Sequence, residues 1–132
     1  MKTVVFACVA NAGRSQMAAA FFNQLTDSAR ARALSAGTQP ASAVHPEVVT
    51  VMREAGIDLS HAQPRFLSSD LASTADLLIT MGCGDECPVV PGVERDDWPL
   101  PDPKNQPLEK VRSIRDEIRA RVQALITQRG WA

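Results

Sequence analysis

The first apolar run, Thr3 to Cys8, is rich in β-branched and aromatic residues and reads as a strand ending in a thiol. From Ser15 to about Leu25 the period changes. Met17, Ala18, Phe21, Phe22 and Leu25 recur at helical spacing. Arg32 to Ala36 predicts a second strand, stopped by Gly37. Pro46 to Ala55 predicts a helix, with Pro46 in its first turn, Gly56 just past its end, and Val48, Val49, Val51 and Met52 on its apolar side. A short helix follows over Ser68 to Ser73, a third strand over Leu77 to Met81 and a fourth over Val93 to Asp96. The longest helix is expected from Pro107 to Gln128. Leu108, Val111, Ile114, Ile118, Val122, Leu125 and Ile126 form its core stripe, and a charged face opposite pairs Glu117 with Arg121.

Strands alternating with helices imply right-handed crossovers and a four-stranded parallel sheet flanked by helices, an α/β three-layer sandwich. In such sheets ligands bind at the carboxyl ends of strands. Cys8 lies at one such end and Gly82-Cys83 at another. With 132 residues, 45% of them hydrophobic, the chain is long enough for one domain, 1–132, with a core of its own. A net charge of -1, few aromatics and no Tyr give no footprint for nucleic acid or an anionic membrane surface. No segment has the length of a membrane span. The apolar start followed by Ala10-Asn11-Ala12 faintly mimics a secretion signal, but it is too short and fits a first strand better. Three cysteines, an odd number, fit poorly with a secreted disulfide framework. A cytoplasmic protein with reduced thiols is expected, and there such cysteines are catalytic or metal-binding more often than structural.

The residues after the first strand carry the most chemistry: Cys8-Val9-Ala10-Asn11-Ala12-Gly13-Arg14-Ser15. A short loop of small residues lets backbone N–H groups curl into an anion-binding concavity, and the next helix sets its positive end beneath it. Arg14 offers a planar fork for two oxygens. Cys8 at the centre of that field is placed as a thiolate nucleophile. The competing reading is a buried structural Cys with an unrelated surface Arg.

A second constellation is Gly82-Cys83-Gly84-Asp85-Glu86-Cys87-Pro88. On an intact helix two Cys four apart have Cβ atoms roughly 5–6 Å apart, too wide for a relaxed disulfide. The glycines and proline predict a loop or frayed turn, able to carry a thiol towards Cys8 and back. Two unrelated loop thiols are the alternative. Zinc usually takes four ligands, and His45 and His61 lack ligand spacing to the cysteines, so no metal site is expected. A third element, Asp96-Asp97-Trp98-Pro99-Leu100-Pro101-Asp102-Pro103, is acidic and stiffened by proline. One of its carboxyls, held over the loop beside an anion and an apolar wall, can protonate a leaving oxygen. Spacing does not choose among Asp96, Asp97 and Asp102, and turn chemistry alone also explains an Asp there.

Cys8-x5-Arg14-Ser15 near the N-terminus resembles the low-molecular-weight protein tyrosine phosphatases, and the Cys83/Cys87 pair resembles more closely the thioredoxin-coupled arsenate reductases built on that fold. Ser35-Ala36-Gly37, Pro46-Glu47 and Asp102-Pro103 match as well, so the resemblance covers essentially the whole chain. It implies that Cys8 attacks arsenic of bound arsenate, with Arg14 and the amides of Val9 to Ser15 holding the oxygens. It singles out Asp102 to assist loss of water. Cys83 then attacks Cys8, Cys87 attacks Cys83, and a Cys83–Cys87 disulfide is left for an external reductant: thioredoxin, or else a glutaredoxin-like or mycothiol-dependent system. Asn11 shapes the cradle and Ser15 donates to the thiolate. Phosphate and sulfate are the expected competing oxyanions, and no cofactor is implied. The resemblance departs at Met17-Ala18-Ala19-Ala20, where some relatives carry an acidic residue beside a potassium ion, and in a cysteine pair with only three residues between. The other function such a loop serves is hydrolysis of phosphotyrosine or a small phosphate ester.

Overall fold

A computed structural model describes residues 1–82 and 90–132. Four strands, β1 (Lys2–Cys8), β2 (Ala31–Gly37), β3 (Leu77–Thr80) and β4 (Glu94–Asp97), form one parallel sheet in the order β2-β1-β3-β4. The helices are α1 (Arg14–Leu25), α2 (Pro46–Glu54), α3 (Ser69–Ser73) and α4 (Leu108–Arg129). The expected elements are all present, with no end moved by more than one residue.

β1 is central because both of its faces are apolar. Val4, Phe6 and Cys8 point to the side covered by α1, α2 and α4, whereas Val5 and Ala7 point to α3. On the first side Phe6 packs against Phe22 and Trp98, ring centroids 6.1 and 5.6 Å apart. Fully burying side chains of this size contributes about 1.5–3 kcal/mol each. On the second side a smaller cluster joins Val5, Ala7, Ala36, Leu67, Ala72, Ala75 and Leu78. Ser68 begins α3 by accepting a hydrogen bond from the Leu71 N–H at 3.0 Å.

Leu108 departs from the expected stripe. It is the first residue of α4 and is 39% exposed, while the stripe from Val111 to Ile126 is buried. The periodicity is right, but α4 meets the core only from Val111 onward. β4 is short, polar and exposed at all four positions, as suits a sheet edge that must not pair further. None of the helices among the described residues is long and apolar enough to cross a membrane.

The strand order places β1 between two neighbours whose connections leave in opposite directions. The crevice at that switch lies at the carboxyl ends of β1 and β3. In register, Cys8 stands opposite Gly37, and Ala7 opposite Thr80. Gly37 is glycine for space: a Cβ there would run into the Val9 carbonyl.

Candidate active site

The chain leaves β1 at Cys8 and enters α1 at Arg14. Every carbonyl from Cys8 to Gly13 is turned away from the loop's interior and occupied. Cys8, Val9, Ala10 and Ala12 accept from the backbone N–H groups of Thr38, Gln39, Ala41 and His45 at 2.8–3.1 Å. Gly13 accepts from Met17 N–H at 3.0 Å, and Asn11 from the Gln16 side chain at 3.1 Å. With the carbonyls tied outward, the N–H groups are left to the inside. None from Val9 to Gly13 finds an acceptor among the described residues. The free N–H groups of the first turn of α1 add to them. The result is a ring of donors at the positive end of a 12-residue helix.

Asn11 makes the curl possible. Its φ of 51° lies in the left-handed region, which Asn tolerates better than most residues. Its side chain donates to Ser15 Oγ at 2.8 Å, and Ser15 Oγ lies 2.8 Å from Cys8 Sγ. Cys8 is 2% exposed, at the floor of the ring.

Arg14 is buried, and its guanidinium crosses the mouth of the loop. Nη1 donates to the Leu100 carbonyl at 3.0 Å, and Nη2 lies 3.9 Å from Asp102 Oδ2. The guanidinium is seated on the backbone at Gly82, just beyond β3. Gly82 has a φ of 98°, and a Cβ there would collide with Nη1 of Arg14. The site is thus assembled from the ends of two neighbouring strands and one distant loop.

The three aspartates separate cleanly. Asp97 Oδ1 accepts from the buried Thr80 hydroxyl at 2.7 Å, and Asp96 accepts from Trp98 Nε1 at 3.2 Å and from the Asp97 N–H. Both serve the β4 edge. Only Asp102 reaches Arg14, with its other oxygen capping the Lys104 N–H at 2.9 Å. Its side chain is 58% exposed, so the expected apolar wall is not what surrounds it; the guanidinium and open solvent do. Cys83 and Cys87 lie outside the described residues. Among the described residues no cluster of His, Cys, Asp and Glu is suited to hold a metal ion.

The chain matches, over residues 3–129, the family described as low molecular weight phosphotyrosine protein phosphatase. It belongs to that family. A putative arsenate reductase of Halobacterium salinarum is 46% identical over 123 residues, covering 89% of this chain and 85% of the relative. A thioredoxin-dependent arsenate reductase of Corynebacterium glutamicum superposes with a TM-score of 0.84 at 39% identity. That match covers 97% of this chain but 61% of the other. An arsenate reductase solved in a phosphate-binding state superposes with a TM-score of 0.84 at 32% identity, covering 97% of this chain and 98% of the other.

Within this low-molecular-weight phosphatase fold, the geometry brings together Cys8, Val9 to Ser15, and Asp102. His45 and His61 are not drawn in as functional groups. His45 precedes α2, and its backbone N–H supports the loop through Ala12. His61 sits in a turn near Asp58, whose carboxyl is held below its ordinary value chiefly by hydrogen bonds from Ser60. Two residues were not singled out from sequence: Gln16, and Leu100, whose carbonyl holds Arg14. Gly82 is expected at a strand's carboxyl end, but not as the seat of Arg14. Gln16 had one usable signal, a long polar side chain on the first turn of an otherwise apolar helix.

Proposed function

We propose that this chain reduces arsenate to arsenite, with Cys8 as nucleophile. What carries the reading is the loop itself. Its carbonyls are all engaged outside, its N–H groups face in, and a thiol lies at the floor beneath a buried arginine. That arrangement suits a tetrahedral oxyanion. The arsenate reductases aligned along nearly the whole chain support arsenate as the oxyanion.

In the proposed cycle the Cys8 thiolate forms an S–As bond and one arsenate oxygen leaves as water. Arg14 and the amides of Val9 to Ser15 hold the remaining oxygens, and Asp102, beside Arg14, delivers the proton to the departing oxygen. The Cys83 thiolate then attacks the Cys8 sulfur. The S–As bond breaks with its electron pair going to arsenic, As(V) becomes As(III), and arsenite leaves. Cys87 attacks Cys83, which frees Cys8 and leaves a Cys83–Cys87 disulfide. Two electrons from an external dithiol close the cycle. Thioredoxin is the reductant proposed, by likeness to the C. glutamicum enzyme, and the cytoplasm is the compartment that keeps such thiols reduced.

The test measures arsenite formed by purified protein with a thioredoxin system and, separately, a glutaredoxin system. Many arsenites per enzyme are expected with thioredoxin. Cys83→Ser and Cys87→Ser should each stop multiple turnover yet leave slow hydrolysis of a small aryl phosphate, which needs only the cradle. Aryl phosphate hydrolysis with no arsenite under either reductant would overturn the reading in favour of a phosphatase. Repeated turnover by both serine variants would overturn the relay.

A further inference from the structure

Gln16 follows Ser15 on α1 and is 7% exposed. Its Nε2 lies 3.1 Å from the Asn11 carbonyl, 3.2 Å from Asn11 Oδ1 and 3.3 Å from the Gln63 carbonyl. Three oxygens, from two separate segments, thus converge on one amide nitrogen. Across the loop, the Arg65 N–H also donates to Asn11 Oδ1, at 2.9 Å. Nothing in the proposed chemistry accounts for this convergence on the Gln16 side chain.

The two donors decide how Asn11 is turned. The end of its amide that meets both Gln16 Nε2 and Arg65 N–H must be the oxygen. Its nitrogen therefore faces Ser15 Oγ and donates to it. The Ser15 oxygen is then an acceptor towards Asn11, and its single proton is free for Cys8 Sγ, 2.8 Å away. A thiolate can only accept, so this polarity suits the ionised form of the sulfur.

We propose that Gln16 is a positioning residue for Cys8. Its side-chain amide, with the Arg65 N–H, locks Asn11 so that the Ser15 hydroxyl proton is aimed at the Cys8 sulfur. The same contacts hold Asn11 at its left-handed φ from two sides, through its own carbonyl and through the 63–65 segment. The proposal rests on Cys8 being the nucleophile. Arg65 enters the network only through its backbone N–H, and the other charged and titratable groups near the site, Arg14 and Asp102 at the mouth and His45 beside Gly13, lie outside it.

Gln16→Met keeps the length and removes the donors. The rate of Cys8 alkylation by iodoacetamide is followed across pH on the Cys8 peptide by mass spectrometry, so that Cys83 and Cys87 do not contribute. The profile should move to higher pH by about one unit, the effect of weakening one hydrogen bond to a charged sulfur. The kcat for arsenate should fall about tenfold with KM nearly unchanged, the pattern of a group that acts on the chemical step. Gln16→His restores an N–H at similar reach and should recover part of both. A folded Gln16→Met protein with an unmoved alkylation profile would overturn the proposal. In the unsubstituted protein, the side-chain amide protons of Gln16 and Asn11 should exchange slowly with solvent. Exchange as fast as surface amides would overturn it without any variant. Alkylation requires no arsenate, so a moved profile in a protein that makes no arsenite would sink the arsenate reading and leave this one standing.

Discussion

Two polar networks of similar extent lie at different depths in this molecule. One is the chain Gln16, Asn11, Ser15, Cys8, buried, with uncharged amides and a hydroxyl leading to the Cys8 sulfur. The other lies where α2 meets α4, where Glu54 accepts from both Arg112 and Arg115, and Arg115 also reaches Asp116 and the Val51 carbonyl. The shortest contacts of the two are equally short, but the second has the full charges, with Arg112 and Glu54 in a forked pair at 2.8 Å. Water screens it, however, and holding long side chains in one geometry costs entropy, so exposed pairs of this kind add little to stability. Bonds in the first network are individually ordinary. Their weight comes from position: each group is out of water, and an unmade bond there costs the full desolvation of its partner. No buried side-chain N or O among the described residues lacks a partner. Depth, more than charge, decides which network governs chemistry.

The sharpest test of that contrast is Cys8→Ser. Oxygen can keep the contact with Ser15, so melting temperature should change little. Arsenate reduction and any phosphatase activity should both vanish, because a serine hydroxyl is far less acidic than a thiol and the relay needs sulfur. Appreciable reduction by this variant would remove Cys8 from the mechanism. Asp102 asks whether an exposed charge can matter once it is coupled to the buried site. Asp102→Asn should lower kcat by about 10²–10⁴-fold, the usual range for a lost general acid, with no change in thermal stability. A loss below tenfold would return Asp102 to a turn residue.

Gly82→Ala should have a smaller effect, and one confined to the arginine. The added Cβ collides with the Arg14 guanidinium, and the φ of 98° is strained for Ala. Arg14 must shift from Leu100 and from the loop mouth. Phosphate, used as a competing oxyanion, should bind about 10-fold or more weakly, consistent with the loss of one charge-assisted hydrogen bond. Unchanged phosphate affinity, measured by isothermal titration, would mean that Arg14 does not hold the anion.

The parts of this protein that sequence discloses are those whose causes are local. β1 announces itself by consecutive β-branched residues, and Cys8, Arg14 and Ser15 are fixed to one another by a single short loop. Pro46 and Gly56 bracket α2 for reasons that act within a turn. Partners distant in sequence leave no such trace. The Leu100 carbonyl that holds Arg14 is 86 residues away from it, and the Gln63 carbonyl on Gln16 is 47 away. A carbonyl carries no side-chain identity, so no residue pattern encodes it. Leu108 shows the converse: periodicity marks a face, but only packing decides how far along the helix that face is covered. Cys83 and Cys87, legible as a pair, lie outside the described residues.

The smallest effect expected lies in the exposed network and concerns pH. Hydrogen bonds from Arg112, with those of Arg115 and the charge of both, outweigh a modest desolvation and hold the Glu54 carboxyl at about 2, below its ordinary 4.5. A carboxyl lowered on folding contributes stability that is complete above its unfolded value and is lost as pH falls through its folded value. Glu54 should therefore contribute fully above pH 4.5 and nothing below about 2. At pH 7, Glu54→Gln should lower the melting temperature only slightly, since the pair is more than a third exposed and screened by solvent. As pH is lowered from 4.5 towards 2, unsubstituted protein and variant should converge, because the variant has no carboxyl to protonate. Arsenate reduction should be unaffected throughout, since Glu54 ends α2 while the loop is supported from the His45 end. Melting curves of both proteins at several pH values decide the matter. A gap at pH 7 as large as that produced by Gln16→Met would show that exposed charge carries as much structural weight as the buried network. A gap that widened below pH 4.5 would reverse the sign of the linkage and place the ionised Glu54 among destabilising contacts instead.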